Sequence, residues 1–197
     1  MEQLNNVKEL ELTEEELKDL LGEEEYPRTF VINEDFTEEL EDRFMEWFLN
    51  LPDCYDEDAE TIRLHISSNG GSVTTLFKII DMLDRFRGKI YGYANGVCAS
   101  AALFLLCACD RRAVGNMCNL LYHTSQYTVL EQGNIADHKQ IAKDIKKIND
   151  KIEKFMANRV GVDEKWLKRH RNEDYWFDKT EALELGIDNS EEYDELN

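Results

Sequence analysis

A serine, a histidine and a late group of carboxylates are the residue types in this chain that can perform nucleophilic catalysis. Ser100 follows a run of small residues and precedes an apolar stretch, so we expect it at the start of a buried helix. A nucleophile there gains from the positive end of the helix dipole, which stabilises an oxyanion forming beside it. The N–H of Ala101, in the first turn, has no partner within the helix and is available to donate. The structural alternative is a helix-cap serine, and the local sequence CASAA lacks the Gly-x-Ser-x-Gly of a lipase-type elbow.

His123 ends an apolar strand and starts a loop, which is where catalytic side chains tend to project. An imidazole beside a serine hydroxyl can take its proton and activate it. Of the other histidines, His65 lies in the middle of a predicted strand, His138 lies in a charged helix, and His170 lies among basic residues. A third group would orient the base, and three carboxylates near the end of the chain are available: Glu173, Asp174 and Asp178. Spacing alone does not choose among them.

A glycine pair, Gly70 and Gly71, follows directly on a predicted parallel strand. Glycine at the carboxyl end of a strand exposes backbone N–H groups where open α/β sheets bind ligands. An ordinary turn is the structural alternative. The chain contains neither Gly-x-Gly-x-x-Gly nor Gly-x-x-x-x-Gly-Lys-Ser/Thr, which argues against a phosphate-binding loop.

The apolar pattern predicts an α/β chain of βαβ units with a mostly parallel sheet. Strands are predicted at residues 28–32, 61–67, 89–94, 111–114 and 119–122. Helices are predicted at about 10–21, 40–51 with Thr37 as N-cap, 76–86, 96–106, 135–158, 163–170 and 180–185. We expect residues 96–106 to be a buried helix entered through a small-residue turn.

The helix over residues 135–158 carries apolar residues at alternating steps of four and three, namely Ile141, Ile145, Ile148, Ile152 and Phe155. This narrow stripe is typical of a coiled coil. At about 1.5 Å per residue the helix extends roughly 36 Å. We therefore expect a protruding handle helix that packs on another copy of the chain.

Charge is concentrated at the two ends of the chain, whose formal net charge is −19. Residues 1–25 hold ten acids against two lysines, and residues 181–197 hold seven acids and no base. We expect an acidic leader at 1–27, one catalytic domain at 28–190 and an acidic tail at 191–197, with both arms solvated. Such a charge argues against nucleic acid as a partner.

Five cysteines lack the pairing or spacing of a disulfide framework or zinc site, so we expect free thiols packed as small hydrophobes. The chain contains no run of 18 or more apolar residues, so the sequence predicts no membrane-spanning helix. Residues 1–6 lack the basic and apolar pattern of a secretory signal. We expect a cytoplasmic protein.

Three segments together resemble the proteolytic subunit of the Clp protease. They are ISSNGGSV at 66–73, GVCASAALFLL at 96–106 and LYH at 121–123. The second glycine lies 29 residues before Ser100, and Ser100 lies 23 residues before His123. The stretches RNEDYWF at 171–177 and TEALELGID at 180–188 resemble the family's final segment. The resemblance covers roughly residues 28–188.

The resemblance implies a Clp- and crotonase-like spiral of βαβ units and a triad of Ser100, His123 and Asp174. It also implies oxyanion donors at Gly71 and Ala101, with no metal or cofactor. The family implies stacked homo-oligomeric rings that cleave unfolded polypeptides, fed by an ATP-driven unfoldase. Asn69 stands where the family usually has proline, and residues 1–27 do not resemble the family's gate segment. Such divergence suits a relative carried by a phage or plasmid.

Two other functions follow from the same sequence. One is a catalytically silent structural ring subunit, against which the intact Ser100, His123 and Asp174 speak. The other is a crotonase-fold acyl-CoA enzyme, a class with longer chains and acidic residues near the thioester. A processing peptidase for phage capsid proteins is a variant of the main interpretation.

Overall fold

The centre of the molecule is a sheet that directs apolar side chains toward a layer of helices. The computed structural model describes residues 28–125 and 135–190. Its elements follow in the order β1 (Thr29–Ile32), α1 (Glu38–Leu49), β2 (Ile62–Ser68), α2 (Val73–Leu83), β3 (Ile90–Ala99), α3 (Ala101–Ala108), β4 (Arg111–Val114), β5 (Asn119–Tyr122), α4 (Ile135–Val160), α5 (Glu164–Arg169), β6 (Tyr175–Phe177) and α6 (Lys179–Glu184). The predicted α/β class is confirmed.

The strands pair in the order β1-β2-β3-β5-β6, and β4 also pairs with β3. All pairings are parallel except that between β5 and β6. β3 is long enough to serve two neighbours, because β4 lies along its first half and β5 along its end. The carboxyl ends of β2, β3 and β5 therefore meet at one edge of the sheet.

Strand β3 is longer than the sequence predicts. The sequence predicts that the strand ends at residue 94 and that a helix covers 96–106, but Cys98 and Ala99 pair with Leu120 and Leu121 of β5. These pairings give the backbone the hydrogen-bond partners that it would lack in a buried turn. The helix consequently begins at Ala101, and Ser100 alone connects strand and helix.

Helices α1, α2 and α3 cover one face of the sheet. The eight residues of α3 are all buried, and α1 buries its predicted stripe of Leu40, Phe44, Trp47 and Phe48. Each fully buried side chain of this size contributes about 1.5–3 kcal/mol. The predicted N-cap is confirmed, because Leu40 N–H donates to Thr37 Oγ1 at 3.3 Å.

Helix α4 is only partly a projecting handle. Its second half packs on the domain, with Ile152 5% exposed and Met156 fully buried, and Ile148 lies partly buried against the same core. Ile141, in the first half, is 40% exposed. The expectation that the whole isoleucine stripe stands off the domain is thus wrong for Ile148 and Ile152.

The predicted helix at 10–21, the acidic leader at 1–27 and the acidic tail at 191–197 lie outside the described residues. Across residues 28–125 and 135–190, no helix is long and apolar enough to cross a bilayer.

Candidate active site

Ser100 occupies a sharp turn between β3 and α3. Its backbone has φ 55° and ψ −121°, and among the described residues it is the only non-glycine with positive φ. A backbone of this kind costs about 1–3 kcal/mol and is concentrated at active sites. The turn is fixed by Ser100 N–H, which donates to Leu121 O of β5 at 3.0 Å. A strained strand-to-helix elbow therefore exists here without the glycines of the lipase motif.

The Ser100 hydroxyl does not cap α3, because its side chain makes no capping hydrogen bond. Ser72 and Asp163, in contrast, cap the helices that follow them in the ordinary way. The helix-cap alternative for Ser100 thus has no support in the geometry. The side chain is partly exposed at the carboxyl edge of the sheet.

Gly70 lies directly against the Ser100 turn. A Cβ at Gly70 would meet Ala99 O at 2.7 Å, Ser100 Cβ at 2.8 Å and Ala101 N at 2.9 Å. Its φ of +96° also suits glycine alone. The glycine is therefore required for the close approach of the β2 turn to the candidate nucleophile.

Gly71 is held by the backbone of Phe36. Phe36 N–H donates to Gly70 O, and Ser72 N–H donates to Phe36 O, both at 2.8 Å. These two bonds use the carbonyl of Gly70 and the N–H of Ser72, and the N–H of Gly71 takes no part in them. Among the described residues, none accepts a hydrogen bond from the N–H of Gly71 or of Ala101. The predicted oxyanion donors thus lie in segments that adjoin the Ser100 turn, Gly71 directly after Gly70 and Ala101 directly after Ser100.

His123 is brought to the same edge by β5. Ala99 of β3 is the register partner of Leu121, so Ser100 and His123 follow the ends of two adjacent parallel strands. His123 Nδ1 lies 3.2 Å from Asp174 Oδ1. In a Ser-His-Asp triad the orienting carboxylate contacts this same ring nitrogen, Nδ1.

Asp174 reaches His123 because β6 pairs antiparallel with β5. Tyr175 is the register partner of Tyr122, which places the residue before one strand opposite the residue after the other. β6 was not predicted, since a three-residue strand is too short to show a period.

The two competing carboxylates are engaged elsewhere. Glu173 contacts His170 Nδ1 through a short side-chain pair. Asp178 is the N-cap of α6 and accepts from Thr180 N–H at 2.9 Å and Glu181 N–H at 3.2 Å. Of the three carboxylates, Asp174 is the one that contacts His123, which supports the choice that spacing left open and that the resemblance implies.

A charged cluster connects the segments that carry His123 and Asp174 to α4. Arg171 donates to Glu153 Oε1 at 2.7 Å and to Asp150 Oδ1 at 2.8 Å. Both hydrogen bonds raise the pKa of Arg171, and the bond to Glu153 has the larger effect. The carbonyl of Arg171 accepts from Thr124 Oγ1 at 2.8 Å. The residues just after His123 and just before Asp174 are thereby held together.

Tyr122 also belongs to this charged cluster. Its hydroxyl lies 3.4 Å from Glu153 Oε1, and burial, followed by the Glu153 charge, raises the pKa of Tyr122. The phenol therefore stays protonated and remains a donor. Sequence reasoning missed Glu153 and Arg171, because a buried acid on a highly charged helix has no distinguishing pattern.

The cysteines do not contribute a nucleophile. All five are free and buried, which confirms the expected free thiols. Burial raises the pKa of Cys107 to about 12 and that of Cys118 to about 11, so neither is a thiolate at neutral pH. In the parts of the chain that are described, no group of three His, Cys, Asp or Glu side chains could hold a metal ion.

Comparisons with known proteins agree on one family. A family model described as Clp protease matches residues 13–190, a region that begins inside the acidic leader. The chain is 30% identical over 126 residues to the ATP-dependent Clp protease proteolytic subunit 2 of Treponema denticola, covering 64% of the chain and 63% of that protein.

Other relatives match over more of their length. Identity is 27% to the proteolytic subunit 3 of Rhizobium etli, covering 94% of the chain and 92% of that protein. Identity is 28% to the proteolytic subunit 2 of Bacillus licheniformis, covering 81% of the chain and 83% of that protein. The chain thus spans less than two thirds of the Treponema relative and most of the other two.

We predict that Gly70→Ala abolishes reaction of Ser100 with a fluorophosphonate probe, because the new Cβ would displace the Ser100 turn. Gly161→Ala is the matched control, since Gly161 also has positive φ (+88°) but nothing within 4 Å of its Cβ position. Both variants should lose about 1–2 kcal/mol of stability to backbone strain. Labelling rates and thermal unfolding would be measured together. Equal labelling of the two variants would contradict a role for Gly70 in forming the turn.

Proposed function

The chain belongs to the Clp protease family, and on that premise we propose that it is a serine peptidase that uses Ser100, His123 and Asp174. The observation that carries the proposal is the contact between His123 Nδ1 and Asp174 Oδ1 at the edge where the strained Ser100 turn lies. A serine that only caps a helix would not need the strained backbone of Ser100. A histidine that only lies on the surface would not need a carboxylate partner such as Asp174.

The proposed reaction is acyl transfer from a peptide to water. His123 takes the hydroxyl proton of Ser100 as the oxygen attacks a peptide carbonyl. Asp174 holds the Nδ1–H tautomer of His123 and stabilises the imidazolium that forms. His123 then gives the proton to the leaving amine, and the same base activates water to release the acyl group.

In the proposed reaction, backbone N–H groups stabilise the developing oxyanion. The N–H groups of Gly71 and Ala101 are the proposed donors, and neither has an acceptor among the described residues. Removing one donor of this kind typically costs about 10²–10³ in kcat. Because these donors are main-chain groups, their position depends on the glycine turn rather than on any side chain.

The proposed substrates are unfolded polypeptides, cleaved in the cytoplasm inside a ring-shaped homo-oligomer that an ATP-driven unfoldase feeds. The relatives are named as subunits of an ATP-dependent protease, which supports an energy-dependent partner. No metal or organic cofactor is required by the proposed chemistry. The surviving alternative, a silent structural ring subunit, differs from this proposal only in the reactivity of Ser100.

The exposed end of α4 supports assembly. Ile135 is 75% exposed and Ile141 40% exposed, and each apolar side chain of this size left in water forfeits up to about 1.5–3 kcal/mol. A second copy of the chain would bury them. The proposed rings would therefore meet through the first half of α4.

We predict that a fluorophosphonate labels the wild-type chain at Ser100 and that Ser100→Ala is unlabelled and inactive on unfolded casein. Ser67→Ala, at a partly exposed serine of β2, is the control and should label as the wild type does. Intact-mass spectrometry and peptide release provide the two measurements. An unlabelled wild type would favour the structural ring subunit.

Asp174→Asn should lower turnover by about 10⁴-fold, because an amide favours the wrong tautomer of His123. Glu173→Gln and Asp178→Asn should keep near wild-type turnover, since glutamine can still contact His170 and asparagine is also a good N-cap. Peptide hydrolysis would be measured for the three variants. A loss in Glu173→Gln as large as that in Asp174→Asn would refute the assignment.

Ile141→Asp combined with Ile145→Asp should split the assembly, because both substitutions place a charge where the apolar stripe leaves the domain. Gln140→Asp with Ala142→Asp adds the same two charges at exposed positions beside the stripe and should leave the assembly intact. Light scattering would be recorded across a range of ionic strengths. A wild-type chain that is monomeric throughout would rule out the proposed rings.

A further inference from the structure

One face of the sheet is not covered by the described helices. The outward residues of β1 to β4 align in two rows, which together we call the outer sheet face: Thr29, Arg63, Tyr91 and Arg111, and Val31, His65, Tyr93 and Ala113. Val31 is 46% exposed and Tyr93 39% exposed. Parallel sheets are almost always covered on both faces, so this exposure requires an occupant.

The outer sheet face is cationic and aromatic in a strongly acidic protein. The guanidinium carbon of Arg111 lies 4.8 Å from the centre of the Tyr91 ring, and that of Arg63 lies 6.0 Å from it. No ion pair among the described residues involves Arg63. The chain holds 42 acids and 23 lysines and arginines. Two arginines gathered over one tyrosine therefore suit an acidic segment as the occupant.

The chain itself delivers such a segment to this place. Asn189 is anchored along β4, where Arg112 N–H donates to Asn189 Oδ1 at 2.7 Å and Asn189 N–H donates to Arg112 O at 3.0 Å. Ser190 then lines the groove on the outer sheet face together with Arg63, Tyr91, Tyr93 and Arg111. Residues 191–197, with the sequence EEYDELN, follow directly.

We propose that residues 191–197 dock on the outer sheet face of their own chain. Glu191, Glu192, Asp194 and Glu195 supply charge for the two arginines, and Tyr193 and Leu196 supply apolar surface for the tyrosines. Seven extended residues reach about 23 Å, and four strands at about 4.8 Å span roughly 14 Å. The segment is therefore long enough to cross the face from β4 to β1.

The acidic leader at 1–27 is the competing occupant, because it is also rich in acids. The tail is favoured by position, since Ser190 already lies in the groove. The interaction depends on solvent-exposed charges, so salt should weaken it.

The test uses the full chain with a photo-cross-linking benzoylphenylalanine in place of Tyr193. We expect cross-links to peptides of β2, β3 or β4, in a product that migrates as a monomer on a denaturing gel. Arg63→Glu with Arg111→Glu should lower the yield about fivefold, as should high salt. Lys154→Glu with Lys165→Glu makes the same charge change on α4 and α5 and should leave the yield unchanged.

The most specific test exchanges the charges of the outer sheet face and of residues 191–197. Adding Glu191→Arg and Glu192→Arg to the chain with Arg63→Glu and Arg111→Glu should restore the cross-link. Three results would overturn the proposal: cross-links to other surfaces or to residues 1–27, a product that migrates as a dimer, or an unchanged yield in the Arg63→Glu, Arg111→Glu chain. None of these readouts depends on peptidase activity.

Discussion

The contact between the Gly70 turn and the Ser100 turn is the constraint on which the candidate active site depends. A Cβ at Gly70 would come within 3 Å of three atoms of that turn, so β2 and β3 can end side by side only with glycine there. This approach brings together the segments that hold Gly71 and Ala101, the two residues proposed to supply the oxyanion donors. The strain at Ser100 persists because buried elements on both sides fix it: β3 pairs with β5, and every residue of α3 is buried.

The other two residues of the proposed triad are positioned from the other side of β3. β5 carries His123 to the same edge, and β6 returns Asp174 to it in the opposite direction. The Arg171, Glu153 and Asp150 cluster then fixes both segments to the packed half of α4. Glu153 is 5% exposed, so leaving it without Arg171 would be costly, on the order of 3–5 kcal/mol. The half of α4 that packs on the domain thus supports the site, while its exposed half remains available to a partner copy.

Much of this arrangement could be predicted from the sequence because the long elements have clear periods. Ser100 and His123 stood out as residues at the ends of apolar segments, and α1, α2 and α4 followed from their stripes. The end of β3 could not be predicted, since small residues such as Gly96 and Ala99 favour a turn locally and become strand only through pairing with β5. β6 was missed because three residues show no period, although its register is what distinguishes Asp174 from Glu173 and Asp178.

The central claim is that Ser100 is a nucleophile whose oxyanion is held by two backbone N–H groups. The most direct measurement is a crystal structure of the chain after reaction with a fluorophosphonate. We predict a bond from Ser100 Oγ to phosphorus, a positive φ at Ser100, and the phosphonyl oxygen within hydrogen-bond distance of the N–H groups of Gly71 and Ala101. A phosphonyl oxygen directed into solvent, or a Ser100 backbone that has relaxed to a helical φ, would contradict the account.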